Sequence, residues 1–373
     1  MQSMKDNKVW YLVDLPLNGQ TVGCKWLFKK KNDMDVNVHT FKAPLVAKGF
    51  TQTYGVDYEE TFSPVADIRA IRNLLAIAAF YDYEIWQINV KTAFLNGHLS
   101  EDVYMVQPEG FVDPKHPNKV CILQRSIYGL KQASRSWNKK FDDEIKKIDF
   151  TQNPDDPCVY LKASGRNCFS MKDLGEAAYI LGIKIIRDRS KQLIALSQSA
   201  YLEKILKKFR MDNSIKGILQ LWKSLTIESP KVLKHLLRNT KDMVLVYGAK
   251  PEDELKVSCY ADASLQTDKD DTKSQTGYVF VLNGGVVEWK SAKQSTTAMS
   301  SIEVEYIIAA EALSEGVWMR KFIDGLGNVV PSNKRPMEML CDNKPAIAIT
   351  NDTGILKRAK HFQRKYHYIR EVT

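Results

Sequence analysis

Residues 86–97 read Trp-Gln-Ile-Asn-Val-Lys-Thr-Ala-Phe-Leu-Asn-Gly. Ile85, Ile88 and Val90 give a short apolar run with β propensity, and Asn96-Gly97 closes it with a turn dipeptide. A strand that enters a turn can hold a polar side chain at its end and aim it into a cleft. Asn89 is the residue so placed, and its amide is neutral.

Upstream, Trp10-Val13 and Lys25-Phe28 are strand-like runs separated by Pro16 and Asn18-Gly19, which predicts a hairpin. Lys42 to Phe50 is a further strand-turn segment. Asp67 is placed to cap a helix in which Ile68, Ile71, Leu74, Leu75 and Ala78 share one face. Downstream lie Val103 to Phe111 and then Leu123 to Trp137, which leads into a helix reaching about Ile148. Trp137 and Phe141, at helical spacing, are core candidates. Asp156 to Tyr160 has the look of a short strand.

Taken in order, these segments resemble the reverse transcriptase of copia-type LTR retrotransposon polyproteins, over nearly all of Trp10 to Tyr160. Gln107-Pro-Glu-Gly-Phe and Tyr128-Gly-Leu-Lys-Gln-Ala carry most of the specificity. The resemblance implies a magnesium-binding aspartate where this chain has Asn89, and nucleic-acid contacts at Lys131, Gln132 and Arg135. It also implies a β-hairpin bearing paired aspartates after Tyr160. Only Leu161 to Asn167 stand before Cys168-Phe-Ser-Met-Lys-Asp-Leu-Gly, too few residues for two strands and a turn. Asp155-Asp156, followed by Pro157, reads as a turn and does not replace that pair. The resemblance resumes with Tyr179 to Ile185 as a strand and Ala200 to Phe209 as a helix. It breaks again at Ile218 to Lys231, and Lys231 to Asp242 reads as helix.

From Leu255 the pattern is regular. Leu255 to Asp262 alternates as a strand ending at an aspartate. Thr276 to Leu282 and Val286 to Trp289 flank Asn283-Gly284-Gly285 as a hairpin. Ser300-Ser-Ile-Glu303 is a capping-box pattern opening a helix that runs towards Gly325, and Met337 to Asp342 is a short strand ending at a second aspartate. Acids at two strand ends, with one more on a helix, suit two divalent ions held about 4 Å apart.

Tyr260-Ala-Asp-Ala-Ser, Lys290-Ser-Ala-Lys-Gln-Ser, Ser301-Ile-Glu-Val-Glu-Tyr and Cys341-Asp-Asn-Lys-Pro-Ala-Ile resemble the ribonuclease H domain of the same polyproteins. That resemblance implies catalytic, metal-binding Asp262, Glu305 and Asp342, with magnesium or manganese in a two-metal site. It implies nucleic-acid contacts at Lys290 and Lys293. Glu303 and Glu305 stand two apart, on nearly opposite sides of a helix, so one of them serves; Glu305 matches the family position better, with Glu303 the alternative. A fourth acid is usual near Lys360-His361, where this chain has Gln363.

The fold class expected is α+β followed by α/β. An incomplete reverse-transcriptase fingers/palm domain occupies 8–210, a degenerate connection 211–254, and an RNase H-like mixed-sheet α/β domain 255–373. The formal net charge of +10 over 373 residues favours a polyanionic partner, an RNA–DNA hybrid or other nucleic acid. Six scattered cysteines without a CxxC pattern argue for a reduced intracellular chain without structural zinc. No signal peptide is legible, and the longest apolar run, Leu74 to Tyr81, is too short to span a bilayer. Three readings follow: an enzyme that has lost polymerisation and keeps hybrid cleavage, a nucleic-acid-binding relic without chemistry, or a degenerate reading frame whose product folds poorly.

Overall fold

The computed structural model describes residues 2–32, 38–162, 171–210, 238–248, 255–265, 273–294, 300–327 and 337–351, with Ala298 and Val330. In chain order the first elements are α1 (Gln2–Asp6), β1 (Trp10–Val13), β2 (Thr21–Val22), β3 (Cys24–Trp26), β4 (Lys29–Asn32), β5 (Val38–Lys42), β6 (Leu45–Ala47) and α2 (Ile68–Phe80). Then come β7 (Trp86–Val90), β8 (His98–Met105), β9 (Val120–Arg125), α3 (Ala133–Lys146), β10 (Thr151–Gln152), β11 (Tyr160–Leu161) and β12 (Met171–Glu176). β13 (Tyr179–Ile180), β14 (Ile183–Asp188), β15 (Leu193–Ser197), α4 (Ser199–Lys208) and β16 (Val244–Gly248) follow. The last are β17 (Val257–Ser264), β18 (Gln275–Leu282), β19 (Gly285–Lys293), α5 (Ser301–Asp324), β20 (Glu338–Leu340) and α6 (Lys344–Asn351).

The chain divides into two compact units, each interrupted in sequence. Met1–Ala66, Ile88–Gln152 and Pro157–Asp173 make one; Asp67–Gln87, Asn153–Asp156 and Leu174–Thr373 make the other. The division does not follow the consecutive segments 8–210, 211–254 and 255–373, because α2 packs on β15, β16 and β19.

In the first unit, β1, β9, β8 and β2 form one sheet in that order. The predicted hairpin of the first two runs does not form. Pro16 and Gly19 do make the turn, with the Gly19 amide donating to the Pro16 carbonyl at 2.9 Å. But β1 pairs antiparallel with β9, Trp10 opposite Leu123, and β3 pairs with β6, Cys24 opposite Ala47. Burial decides this: Val22, Leu45, Val103, Met105, Cys121 and Leu123 are each at most 2% exposed, and only the long-range pairing gathers them. Asn96-Gly97 closes a 3-10 turn over Ala93–Asn96, and β7 pairs with β12, not with β8. Gly97 is needed for packing, since a Cβ there would stand 2.8 Å from the Ser136 carbonyl carbon of α3. Trp86 and Ile88 are 58% and 46% exposed, so β7 carries uncovered apolar surface.

In the second unit, Asp67 caps α2 as predicted, accepting from the Arg69 amide at 2.8 Å. Tyr179 to Ile185, expected as one strand, is a hairpin: β13 and β14 pair around Leu181 (φ 49°) and Gly182 (φ 81°). Two positive φ values match the twist of a two-residue hairpin turn, and Gly182 admits this without strain. β15 and β16 extend the sheet antiparallel, giving the order β13-β14-β15-β16. The second sheet runs β19-β18-β17-β20, with β20 parallel to β17 and α5 packed on β17 and β18. β17 does not stop at Asp262 but continues to Ser264, paired with β18 throughout. Tyr247 of β16 is 1% exposed and donates its hydroxyl to the Val286 carbonyl of β19 at 3.1 Å.

Arg69 ties α2 into this unit. Its guanidinium pairs with Asp67, Glu288 and Glu315 and lies over the Trp318 ring, 4.4 Å from its centre. Asp155 and Asp156 sit in the bend after Asn153, whose side-chain oxygen accepts from both their amides. The Asp155 carbonyl accepts from the Trp318 indole at 3.2 Å, so this pair serves as a turn docked on α5. The break at Ile218 to Lys231, the start of the helix read from Lys231, His361 and Gln363 lie outside the described residues. No helix among the described residues is long and apolar enough to cross a membrane.

Candidate functional site

Parallel pairing of β17 with β20 sets Tyr260 opposite Leu340. Asp262 and Asp342 each follow two residues later, so both carboxylates come at equivalent positions past the pairing. Helix α5 packs on β17. Its N-terminus is fixed by Ser300, whose hydroxyl accepts from the Glu303 amide at 3.2 Å. One half-turn on, Glu305 is 5% exposed and accepts from the Ala263 amide at 3.1 Å. Of the two glutamates, Glu305 is thus the one directed at the strands, and Glu303 remains half-buried at the cap.

The ligand atoms of Glu305, Cys341 and Asp342 lie within 4.8 Å of one another. Cys341 was not among the residues singled out as ligands. The signal was its place directly before Asp342. β20 ends at Leu340, so the strict alternation that would send neighbouring side chains to opposite faces lapses there. Asp262 is exposed and outside this trio, yet near enough to act on it. Burial pushes the Glu305 carboxyl up, the Ala263 amide opposes that, and the charges of Asp262 and Asp342 add to the rise. Burial likewise pushes the Cys341 thiol up, with Glu305 and Asp342 reinforcing it.

Glu305 and Asp342 offer hard carboxylate oxygens, the donors that magnesium and manganese take, and Cys341 adds a soft sulfur. By donor chemistry the residues fit a divalent ion.

The residues read as nucleic-acid contacts divide. Gln132 is 2% exposed, donates to the Asp57 carbonyl at 2.9 Å and accepts from the Gln52 amide at 3.1 Å. Its polar groups are engaged inside the protein, although it also lines the cavity beside Arg135. Lys131 donates to the Gln52 carbonyl and the Tyr58 hydroxyl at 3.2 and 3.0 Å while keeping an exposed face. Arg135 donates to the Phe62 carbonyl and lines a cavity of about 370 Å³ with His98, Lys139 and Lys140. Glu59, Glu60 and Asp143 share that lining, so its charge is mixed. Lys290 is exposed and pairs with Glu311 at 3.8 Å, and Lys293 is exposed at the end of β19. Asn89 is exposed on β7.

Residues 7–169 match the family model described as reverse transcriptase (RNA-dependent DNA polymerase). The whole chain is 33% identical to part of the retrovirus-related Pol polyprotein from transposon TNT 1-94 of Nicotiana tabacum, covering 34% of that protein. Over 98% of its length it is 30% identical to the Pol polyprotein from transposon RE1 of Arabidopsis thaliana, covering 30% of it. The RE2 polyprotein of the same plant gives the same identity and coverage. The chain therefore spans about a third of the length of these relatives. The alignment to the tobacco protein runs over 461 residues, longer than the chain itself, so the relative has stretches with no counterpart here. Residues 7–169 are a domain of the reverse transcriptase family, and the chain is a homologue of the Pol polyproteins of copia-type plant retrotransposons.

Proposed function

We propose that this is a retrotransposon-derived reverse transcriptase and RNase H-like protein in which polymerisation is lost and metal-dependent cleavage of RNA in RNA–DNA hybrids is kept. The observation that carries the reading is the approach of Glu305 and Asp342 to within 4.8 Å of each other, with Asp262 at the matching position of the neighbouring parallel strand. The mixed sheet β19-β18-β17-β20 with α5 packed on it supports an RNase H-like arrangement for this part of the chain.

Divalent ions, when bound, stabilise the attacking and departing oxygens of a phosphodiester. Asp262, Glu305 and Asp342 would hold magnesium or manganese. Glu305, held by the Ala263 amide, keeps a fixed direction and needs no reordering when a cation arrives. Lys290 and Lys293, exposed at one end of β19, offer charge to a phosphate backbone. On the polymerase side, Asn89 supplies no anion, and Leu161 to Asn167 are too short to carry the paired aspartates that the family resemblance implies.

The test is incubation of the full chain with an RNA–DNA hybrid labelled on the RNA strand, with magnesium or manganese. Cleavage of the RNA strand is expected, lost in Asp342→Asn and Asp262→Asn. Gln363→Asp, restoring the fourth acid, is expected to raise the rate. Cleavage that persists unchanged in both aspartate variants overturns the assignment. The position of Asp262 outside the trio, with Asp262 and Asp342 both exposed, favours as a second reading a relic that binds nucleic acid without cutting it. Salt-dependent hybrid binding with no cleavage would support that reading instead.

A further inference from the structure

We propose that Arg69, Glu288 and Glu315 form a proton-operated latch on helix α2: a proton on the Glu288 carboxyl keeps α2 docked on β19, and its release lets the helix open apart from the rest of the fold.

The donors of Arg69 are already engaged. Its Nε and one Nη donate to Asp67 Oδ2 at 2.8 and 2.6 Å, and the other Nη donates to Glu315. Glu288 is left with a contact of 3.5 Å to that last nitrogen, beyond the ordinary range of a hydrogen bond. Its second carboxylate oxygen is buried and has no hydrogen-bond partner among the described residues. One guanidinium thus faces three carboxylates, and the one it serves least is 5% exposed. A buried carboxylate short of donors is costly, whereas the same group carrying a proton is neutral.

The other groups around Glu288 do not remove this conflict. Arg72 of α2 adds positive charge near the carboxyl, but its guanidinium lies over the Trp289 ring, 4.0 Å from its centre, beside Tyr247 of β16. Tyr278 of β18 and Cys259 of β17 also feel the carboxylate, and burial pushes both up, the thiol to about 12. Burial and Glu315 together outweigh Arg69 and push Glu288 up to about 7. With α2 away the carboxyl faces water and titrates near its ordinary 4.5. The docked state therefore holds the proton more tightly, and docking weakens as pH rises from about 4.5 to about 7.

The connectivity allows α2 to open by itself. Asp67–Gln87 belongs to the second unit, while the segments immediately before and after it in sequence belong to the first. Packing on β15, β16 and β19 holds α2 in its unit, and none of the strand pairs of the second sheet has to break for that packing to part.

The test is hydrogen exchange on the full chain, with protection referenced at each pH to the unfolded peptides. In wild type, protection across α2 is expected to fall by about tenfold or more between about pH 5 and about pH 8. It is also expected to stay below that of β17 and β18 throughout, which marks an opening of its own. Glu288→Gln, isosteric and unable to ionise, is expected to abolish the fall. Glu315→Gln is expected to move the midpoint to lower pH, because a like charge is gone and Arg69 is released to Glu288. Circular dichroism verifies that both variants fold. Flat protection in wild type, a fall that persists in folded Glu288→Gln, or an unchanged midpoint in Glu315→Gln overturns the inference. Protection in α2 equal to that of β17 and β18 at every pH overturns it as well, because the helix then opens only with the whole fold.

Discussion

The carboxylate of Glu305 accepts a hydrogen bond from the backbone amide of Ala263 at 3.1 Å, joining helix α5 to the residue beside Asp262. Glu303, one half-turn earlier, stays with the helix cap. Glu305→Gln is therefore expected to remove the rise in Tm that magnesium or manganese produces, and Glu303→Gln to leave it in place. Thermal unfolding with and without the ion decides between them, and the reverse pattern would transfer the ligand role to Glu303.

Glu288 gives the fold a pH dependence of definite sign. It is 5% exposed, and burial, reinforced by Glu315, pushes its carboxyl up to about 7 against the pull of Arg69. In the unfolded chain the group titrates near its ordinary value of 4.5. The folded state thus binds the proton more tightly, and stability is lost as pH rises from about 4.5 towards about 7. Glu288→Gln should flatten this window and raise Tm at pH 8 by roughly 2–4 °C. Denaturation curves across the window check it; a slope that survives the substitution assigns the effect to another group.

Gly129 and Gly110 both have positive φ, 93° and 78°, but only Gly129 is crowded. A Cβ on Gly129 would meet the Ala47 carbonyl oxygen at 2.2 Å, whereas one on Gly110 meets nothing within 4 Å. Gly129→Ala should cost about 2–4 kcal/mol, combining backbone strain with steric displacement, and Gly110→Ala about 1 kcal/mol from strain alone. Urea unfolding of the two variants measures the gap. Equal losses would mean that the loops of Gly49 and Gly129 are not pressed together.

Primer extension on an RNA template is expected to be absent, and Asn89→Asp alone is not expected to restore it. One anion does not make a two-metal site when the segment after Tyr160 supplies no others. Incorporation above background by the single variant would refute the claim that the shortened segment disables the polymerase.

Much of this architecture was legible in the residues. Asp67 as a cap, the strand at Trp86, the hairpin around Asn283-Gly284 and the helix after Ser300 follow from local rules of capping and turn chemistry, and the structure has them. The pairing of β1 with β9 was not legible, since the turn at Pro16 to Gly19 points to a local hairpin and only burial of Leu123 and Cys121 selects the distant partner. Tyr179 to Ile185 reads as one strand because five of its seven residues are apolar or aromatic; the turn is set by Leu181, a residue with no turn preference, and betrayed only by Gly182. At the candidate site the two aspartates stood out as strand-end acids. Cys341 did not, because a cysteine between an apolar strand and an acid has the pattern of a core residue. The burial of Gln132 was not legible either: a polar side chain in a specific motif looks like surface until its partners Asp57 and Gln52 are seen.

Helix α2 makes its cap within two residues, but Arg69 reaches its partner Glu315 across 246 positions of sequence. During synthesis, then, α2 emerges from the ribosome long before β15, β16, β19 and α5 exist to cover it. Its buried face, including Leu75, Ala76 and Ile77, must spend that interval bare or in the keeping of a chaperone. Closing so long a loop is slow. A ribosome that halts anywhere before Glu315 releases a chain whose α2 has lost an ionic anchor, and such fragments are the species most exposed to aggregation.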